Sequence, residues 1–205
     1  MSIYGPYEQY LPLILEELSQ RIKVANETVK TETGFKLYEH FNARVKEPGS
    51  MQDKLLRKGY EQTPQAALKQ VKDSIGLRII CGFVDDIYKI VSLLRDMDKI
   101  TIMKEKDYIK YAKPNGYRSY HLILEVATPY PDCEGNDNGN YFVEIQLRTI
   151  AMDSWASLEH QMKYKHTVKN AELVTRELKR CADELASCDL TMQTIRNLIK
   201  HDSDG

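Results

Sequence analysis

Between residues 113 and 121 the chain reads KPNGYRSYH, and a hydrophobic core asks for none of it. Pro114, Asn115 and Gly116 are turn formers. Tyr117, Arg118, Ser119, Tyr120 and His121 then bring rings, a cation and hydroxyls to the mouth of the apolar run LILEV. A second stretch, YFVEIQLRT at 141–149, alternates. As a strand it puts Val143, Ile145 and Leu147 on one face and Glu144, Gln146 and Arg148 on the other. Polar side chains in a row on an interior strand are costly to bury unless they find partners or line a cleft. The row therefore reads either as a solvated sheet face or as the wall of a site. A third stretch, SIGLRII, has Asp73 at its entrance and Arg78 interrupting an apolar run. Arg78 taken alone reads as an ion-pair partner.

Two carboxylates on separate strands change the balance. Asp73 and Glu144 fit a magnesium site, because Mg²⁺ takes oxygen ligands and is commonly held by one or two carboxylates plus substrate phosphates. The basic residues form two groups: Arg44, Lys46, Lys54, Arg57 and Lys58, and then Lys104, Lys106, Lys110, Lys113 and Arg118. Each group alone reads as a solvated face. Beside candidate metal ligands they suit a polyphosphate, to which Arg offers a bidentate fork and Lys a point charge.

These residues need elements to position them. Leu11, Ile14, Leu15, Leu18, Ile22 and Val24 recur at helical spacing, which predicts a helix over 7–31. A second helix is expected over 34–45, then a break at Pro48-Gly49 with Ser50 as N-cap. A basic helix, DKLLRKGY, ends at Gly59, and another starts behind Thr63-Pro64. Residues 74–83 turn β-branched and apolar, a central strand. A helix follows over 85–98, with strands over 100–109, 119–128 and 141–149 and an exposed loop before the last. From Ile150 to about Lys200 the pattern is helical, broken near 165–170, with a frayed HDSDG tail. The fold class is α+β, a mixed four- to five-stranded sheet flanked by helices. The division is a single unit over 1–205: an N-terminal helix (1–33), a core (34–165) and a C-terminal helical region (166–205).

The bulk numbers exclude several classes. Among 205 residues, 29 basic side chains nearly cancel 30 acidic ones. No global attraction to nucleic acid follows, and an anion site must come from local clustering. No apolar stretch approaches the roughly 18 residues of a membrane span, and MSIYGPYEQYLP is no signal peptide. Cys81, Cys133, Cys181 and Cys188 form no zinc pattern. Cys181 and Cys188 are expected to be buried thiols, and the expected setting is the cytoplasm.

DSIGLRI, KPNGYRSYH and YFVEIQLRT followed by AMDSWASLEHQMKYK occur in that order, and together they resemble the synthetase domain of the RelA/SpoT proteins. The resemblance runs from about Phe35 to Lys165 and is nearest to the stand-alone small alarmone synthetases. It implies a nucleotidyltransferase-like sheet and a GTP/GDP pyrophosphokinase, which moves pyrophosphate from ATP to the 3′-hydroxyl of GDP or GTP and has no hydrolase activity. By the same resemblance Asp73 and Glu144 hold Mg²⁺, and Glu144 also takes the hydroxyl proton. Arg44 and Arg78 sandwich the adenine, while Lys46, Ser50, Lys54 and Arg57 meet the ATP phosphates. Tyr117 stacks on guanine, Lys113 and His121 reach the acceptor phosphates, and Asn115 and Gln146 make polar contacts to the acceptor. The resemblance further implies a homotetramer built through terminal helices, with alarmone binding between subunits in some members.

Blander readings hold for other conspicuous residues. Trp155, the sole tryptophan, is expected to pack against the sheet and support Glu144, with His160 structural. The apolar residues of 173–190 exceed what one small sheet can cover. Two rivals remain: a toxic relative that pyrophosphorylates the 3′ end of tRNA, and a catalytically dead nucleotide-binding regulator. The near-neutral charge gives no sign of the basic surface tRNA needs, so no stable nucleic-acid partner is expected. Both carboxylates and the cations are present, against the dead regulator.

Overall fold

The computed structural model describes residues 2–165 and 170–203. After a 3-10 turn (Gly5–Tyr10), helix α1 spans Leu11–Thr33 and buries Leu11, Ile14, Leu18 and Ile22, one stripe at 3.6-residue spacing. Gly34, at φ 74°, ends it, and its N–H donates to the Lys30 carbonyl.

The helix expected over 34–45 is a strand instead, β1 (His40–Val45). Asn26 Oδ1 accepts the Leu37 N–H at 2.8 Å, so α1 holds the following segment extended. Leu37 then drops into the core, and β1 pairs antiparallel with β2 (Ile75–Cys81). Helix α2 (Pro48–Lys58) starts three residues earlier than the Ser50 cap implied. Glu47 is its N-cap and Pro48 sits in its first turn, where a missing N–H costs nothing. A short π-helical turn (Ala66–Gln70) follows, and Thr63 Oγ1 accepts the Ala66 N–H.

Helix α3 (Val84–Asp96) and strands β3 (Ile100–Asp107), β4 (Tyr120–Ala127) and β5 (Asn140–Thr149) fall where the periodicity put them. The sheet order is β1-β2-β5-β4-β3, with β2 parallel to β5 and the other pairs antiparallel. One face is apolar: Ile75, Leu77, Ile79, Leu122, Leu124, Val143, Ile145 and Leu147 are buried against α1 and α3.

Helices α4 (Ile150–Lys165) and α5 (Ala171–Ser203) complete the chain. The expected break between them falls partly on 166–169, outside the described residues, as does the end of the tail. Helix α5 is bolted to the sheet end. Thr149 donates to Asp189 at 2.6 Å, Asp86 pairs with Arg196, and the Asp85 N–H donates to Gln193. Three expectations fail here. Cys181 and Cys188 are exposed on α5, because the helix buries Leu178 and Ala182 instead. Trp155 is buried against α5, its indole N–H donating to the Leu178 carbonyl at 2.8 Å. It therefore supports Tyr117, with ring centroids 6.4 Å apart, rather than Glu144. The expected apolar excess does appear: Leu190, Met192, Ile195 and Leu198 lie exposed on α5.

Candidate functional site

Register explains how distant residues share one surface. Asn42, Arg78, Gln146, His121 and Lys106 pair across successive strands as one row; Arg44, Gly76, Glu144, Ile123 and Lys104 form the next. Paired residues point to the same face, and residues two apart do as well. The uncovered face of the sheet is therefore almost wholly polar. Glu144 stands opposite Gly76, where no side chain crowds it.

Two clefts open on this face. One, of about 300 Å³, is lined by Asn42, Arg44, Gly76, Arg78, Glu144 and Gln146. The other, of about 290 Å³, is lined by Lys54, Lys58, Lys72, Asp73, Lys104, Lys106, His121 and Glu144 among others. Glu144 belongs to both and is their common wall.

Asp73 lies just before β2. Lys69 in the π turn donates to Asp132 Oδ2 at 2.8 Å and to the Asn140 carbonyl at 3.0 Å, pinning the approach to Asp73 against the start of β5. The Lys46 and Lys54 ammonium groups both donate to Asp73 Oδ2. Burial opposes the Asp73 charge, but these two donors outweigh it and hold the carboxyl below its usual range. Burial likewise pulls the Lys46 ammonium down despite its partner. Asp73 Oδ1 is buried and has no partner among the described residues. Such an oxygen is costly to leave unpaired.

The loop over 113–118 is a tight turn. Gly116, at φ 92°, donates its N–H to the Lys113 carbonyl at 2.8 Å, and the Lys113 N–H returns to the Tyr117 carbonyl at 3.1 Å. Asn115 Oδ1 accepts the Tyr117 N–H, and its amide nitrogen donates to Glu159. Asn115 thus builds the turn and ties it to α4, which leaves it little freedom for a ligand. The loop lies on α5: Arg118 donates to Asp183 at 2.9 Å and to the Ala182 carbonyl at 3.2 Å. Arg118 is therefore spent on structure, not on an anion.

Tyr117 is half-buried, edge-on to Tyr108 and Trp155, with the Lys113 ammonium 4.8 Å from its ring centre. Its hydroxyl lies 2.8 Å from His121 Nε2 and accepts from Arg148 Nη2 at 2.9 Å. Burial, with Arg148, Lys113 and Lys106 nearby, pushes the His121 pKa down to about 4. The imidazole is neutral near pH 7, so its 3.9 Å approach to Glu144 is a polar contact and not an ion pair.

The structure thus brings together Arg44, Arg78, Glu144 and Gln146 in one cleft, and Lys54, Asp73, His121 and Glu144 in the other, with Lys46 on Asp73. Ser50 and Arg57 line neither cleft. They are exposed on α2, where Arg57 reaches only back to the Asp53 carbonyl. Lys113 sits over Tyr108 and Tyr117 at the rim. Sequence reasoning left three participants without a role. Lys72 lines the cleft beside Asp73, Tyr108 packs against Tyr117 and His121, and Arg148 carried a signal in continuing the alternation of Glu144 and Gln146.

A mixed sheet with one polar face, two adjoining clefts and a shared carboxylate ringed by lysines defines an α+β domain of the synthetase type. Residues 43–169 match the family model described as the region found in RelA and SpoT proteins. The chain is 41% identical over 169 residues to the GTP pyrophosphokinase YwaC of Bacillus subtilis, covering 82% of this chain and 79% of that protein. Two crystal structures of small alarmone synthetase 1 from Bacillus subtilis superpose closely. The one bound to its product pppGpp has a TM-score of 0.77 at 32% identity, with 95% of each chain covered. The one bound to AMPCPP has a TM-score of 0.73 at 29% identity, covering 95% of this chain and 98% of that one. The chain belongs to the RelA/SpoT family, and its likeness runs to that family's small synthetases.

Proposed function

We infer that this chain is a GTP pyrophosphokinase that transfers the β,γ-pyrophosphate of ATP to the 3′-hydroxyl of GDP or GTP, giving ppGpp or pppGpp and AMP. One observation carries the reading: Glu144 is the shared wall of an arginine-flanked cleft and a lysine-rich cleft. A group standing between two nucleotides can act on the atom that passes between them. Arg44 and Arg78 stack on adenine, as planar guanidinium groups do, and Lys46 and Lys54 meet the triphosphate. Tyr117 stacks on guanine, with Lys113, His121 and Gln146 on the acceptor. Glu144 takes the proton from the 3′-hydroxyl. The 3′-oxygen then bonds to the β-phosphorus as the bond from that phosphorus to the α,β-bridging oxygen breaks, and AMP leaves.

Asp73 and Glu144 would hold Mg²⁺. Asp73 fits that task because its Oδ1 is buried and unpartnered while Oδ2 takes both lysines. Among the described residues no group of three or more His, Cys, Asp or Glu side chains could hold a metal, which suits an ion completed by phosphates and water. When bound, the ion supplies charge neutralisation on the transferred group.

The finer expectations belong to the same reading. The exposed apolar row on α5 supports self-association; a homotetramer with alarmone bound between its subunits is the form we propose. Among the described residues no helix is long and apolar enough to cross a membrane, and the cytoplasmic setting is part of the proposal.

The test is direct. ATP labelled on its terminal phosphate is offered with GDP, GTP or bulk tRNA, with Mg²⁺ and then with a chelator. Label on the guanosine nucleotides, AMP released, and silence from Glu144→Gln are expected. Label on tRNA alone, or on nothing, overturns the reading.

A further inference from the structure

Arg148 has no part in the chemistry above, yet it is 6% exposed, and a guanidinium is costly to bury without purpose. Its Nη1 donates to Asp153 at 2.9 Å. Nη2 donates to the Tyr117 hydroxyl at 2.9 Å and to Gln146 Oε1 at 3.2 Å. Pairing with Asp153 alone explains only the first of these.

A guanidinium donates and never accepts, and that fixes the direction of everything bonded to it. Gln146 must turn its oxygen to Arg148, so its amide nitrogen faces Glu144, 3.4 Å from Oε2. The Tyr117 oxygen accepts from Arg148, which leaves its own proton available to His121 Nε2, 2.8 Å away. A neutral imidazole that accepts at Nε2 carries its proton on Nδ1, and Nδ1 lies 3.9 Å from Glu144 Oε1. Two chains of polar contacts leave one buried side chain and arrive at the two oxygens of one carboxylate. Such contacts are often long before substrate closes a site.

We propose that Arg148 is a positioning residue for the transfer: it sets the polarity of both chains, so that the Gln146 amide and the His121 ring present N–H groups to Glu144 while Tyr117 is held in place for the acceptor base. The proposal rests on Glu144 acting on the acceptor hydroxyl, and it assigns Arg148 no contact with substrate.

The experiment uses the full chain with Arg148→Lys, which keeps a charge opposite Asp153 and so the fold, and Arg148→Met, which does not. ATP and GDP are varied separately, and melting temperature is followed in parallel. A misplaced catalytic group can cost on the order of 100-fold. Arg148→Lys should lower kcat about 10- to 100-fold, leave KM for ATP within about twofold, and melt within a few degrees of wild type. Gln146→Leu should cost less in the Arg148→Lys background than alone, since both act through one chain. Nitrogen-15 NMR of the His121 ring near pH 7 should show the Nδ1–H tautomer in the wild type and lose that preference in Arg148→Lys and Tyr117→Phe. An unchanged kcat in Arg148→Lys, full additivity with Gln146→Leu, or an Nε2–H tautomer in the wild type each overturns the proposal. The tautomer needs no turnover, so it tests Arg148 even if the wild type transfers nothing to GDP or GTP, which would sink the functional reading instead.

Discussion

Gly116→Ala is the substitution whose effect the geometry fixes most tightly. A Cβ built there lies 2.6 Å from the Ala182 Cβ and 3.2 Å from the Lys179 Cα, at a φ of 92°. The backbone strain of a side chain at such a φ is about 1–3 kcal/mol, and forcing an extra methyl into a packed contact adds about 1–3 kcal/mol. The loop can relieve both by lifting from α5, against the Arg118 bonds to Asp183 and the Ala182 carbonyl and the Asn115 bond to Glu159. The Arg118–Asp183 pair is partly solvent-exposed and adds little to that resistance. Lifting is the response that relieves both, and it carries Tyr117 away from His121 and Arg148. The expected loss is about 1.4–2.8 kcal/mol of acceptor binding, a 10- to 100-fold rise in KM for GDP. KM for ATP should stay within about twofold, because the arginine-flanked cleft draws nothing from this loop. Initial rates with each nucleotide varied in turn measure both. Adding Ala182→Gly should recover part of the loss by removing the 2.6 Å contact, while the φ strain stays. An unchanged KM for GDP, or equal rises for both nucleotides, refutes the loop's assignment to the acceptor.

Other expectations follow from the same geometry. Asp73→Asn leaves Lys46 and Lys54 repelling each other without a counter-charge; transfer should fall at least 1,000-fold, about 4 kcal/mol, and calorimetry should find weaker Mg²⁺ binding in the presence of an ATP analogue. His121 is depressed in the fold to about 4 from an ordinary value near 6.5. The folded state thus disfavours the imidazolium, so stability is full above about pH 6.5 and is lost as pH falls toward 4, by up to about 3 kcal/mol. Melting curves should show His121→Gln losing less stability than wild type across that window, and a parallel slope for both proteins refutes the assignment. Leu190→Asp with Leu198→Asp on the exposed row of α5 should shift light-scattering mass to a smaller species without lowering the melting temperature of the isolated subunit.

Much of this was legible in the sequence because period-two alternation states both which residues share a face and which face is wet. Alternation put Glu144, Gln146 and Arg148 on one face of β5, and β-branched apolar composition marked β2. Strand β1 carried no such mark. Leu37, Tyr38, Phe41 and Val45 suit a helical stripe as well as a strand, and the choice is made by pairing with β2 and by Asn26. Asp73 was found as a carboxylate beside a strand, but its capture by Lys46 and Lys54 depends on how α2 is set against it. Arg148 stood in the visible row without a role, because its partner Tyr117 lies 31 residues away on a loop whose path no local pattern reveals. Cys181 and Cys188 share a helix face, but only docking decides which face is covered.

Strand β5 lies at the centre of the sheet, hydrogen-bonded along both edges, and Glu144 is rooted in it. The arginine-flanked cleft is built toward β1 and β2 and the lysine-rich cleft reaches across to β4 and β3, with this one side chain as the reference for both. On the proposed function, a breathing motion of the sheet that carries β5 would carry both nucleotides with it and leave the distance between attacking oxygen and phosphorus unchanged. Only differential motion of the two flanks spoils in-line alignment, so the chemistry tolerates a soft protein as long as its middle strand is the common origin.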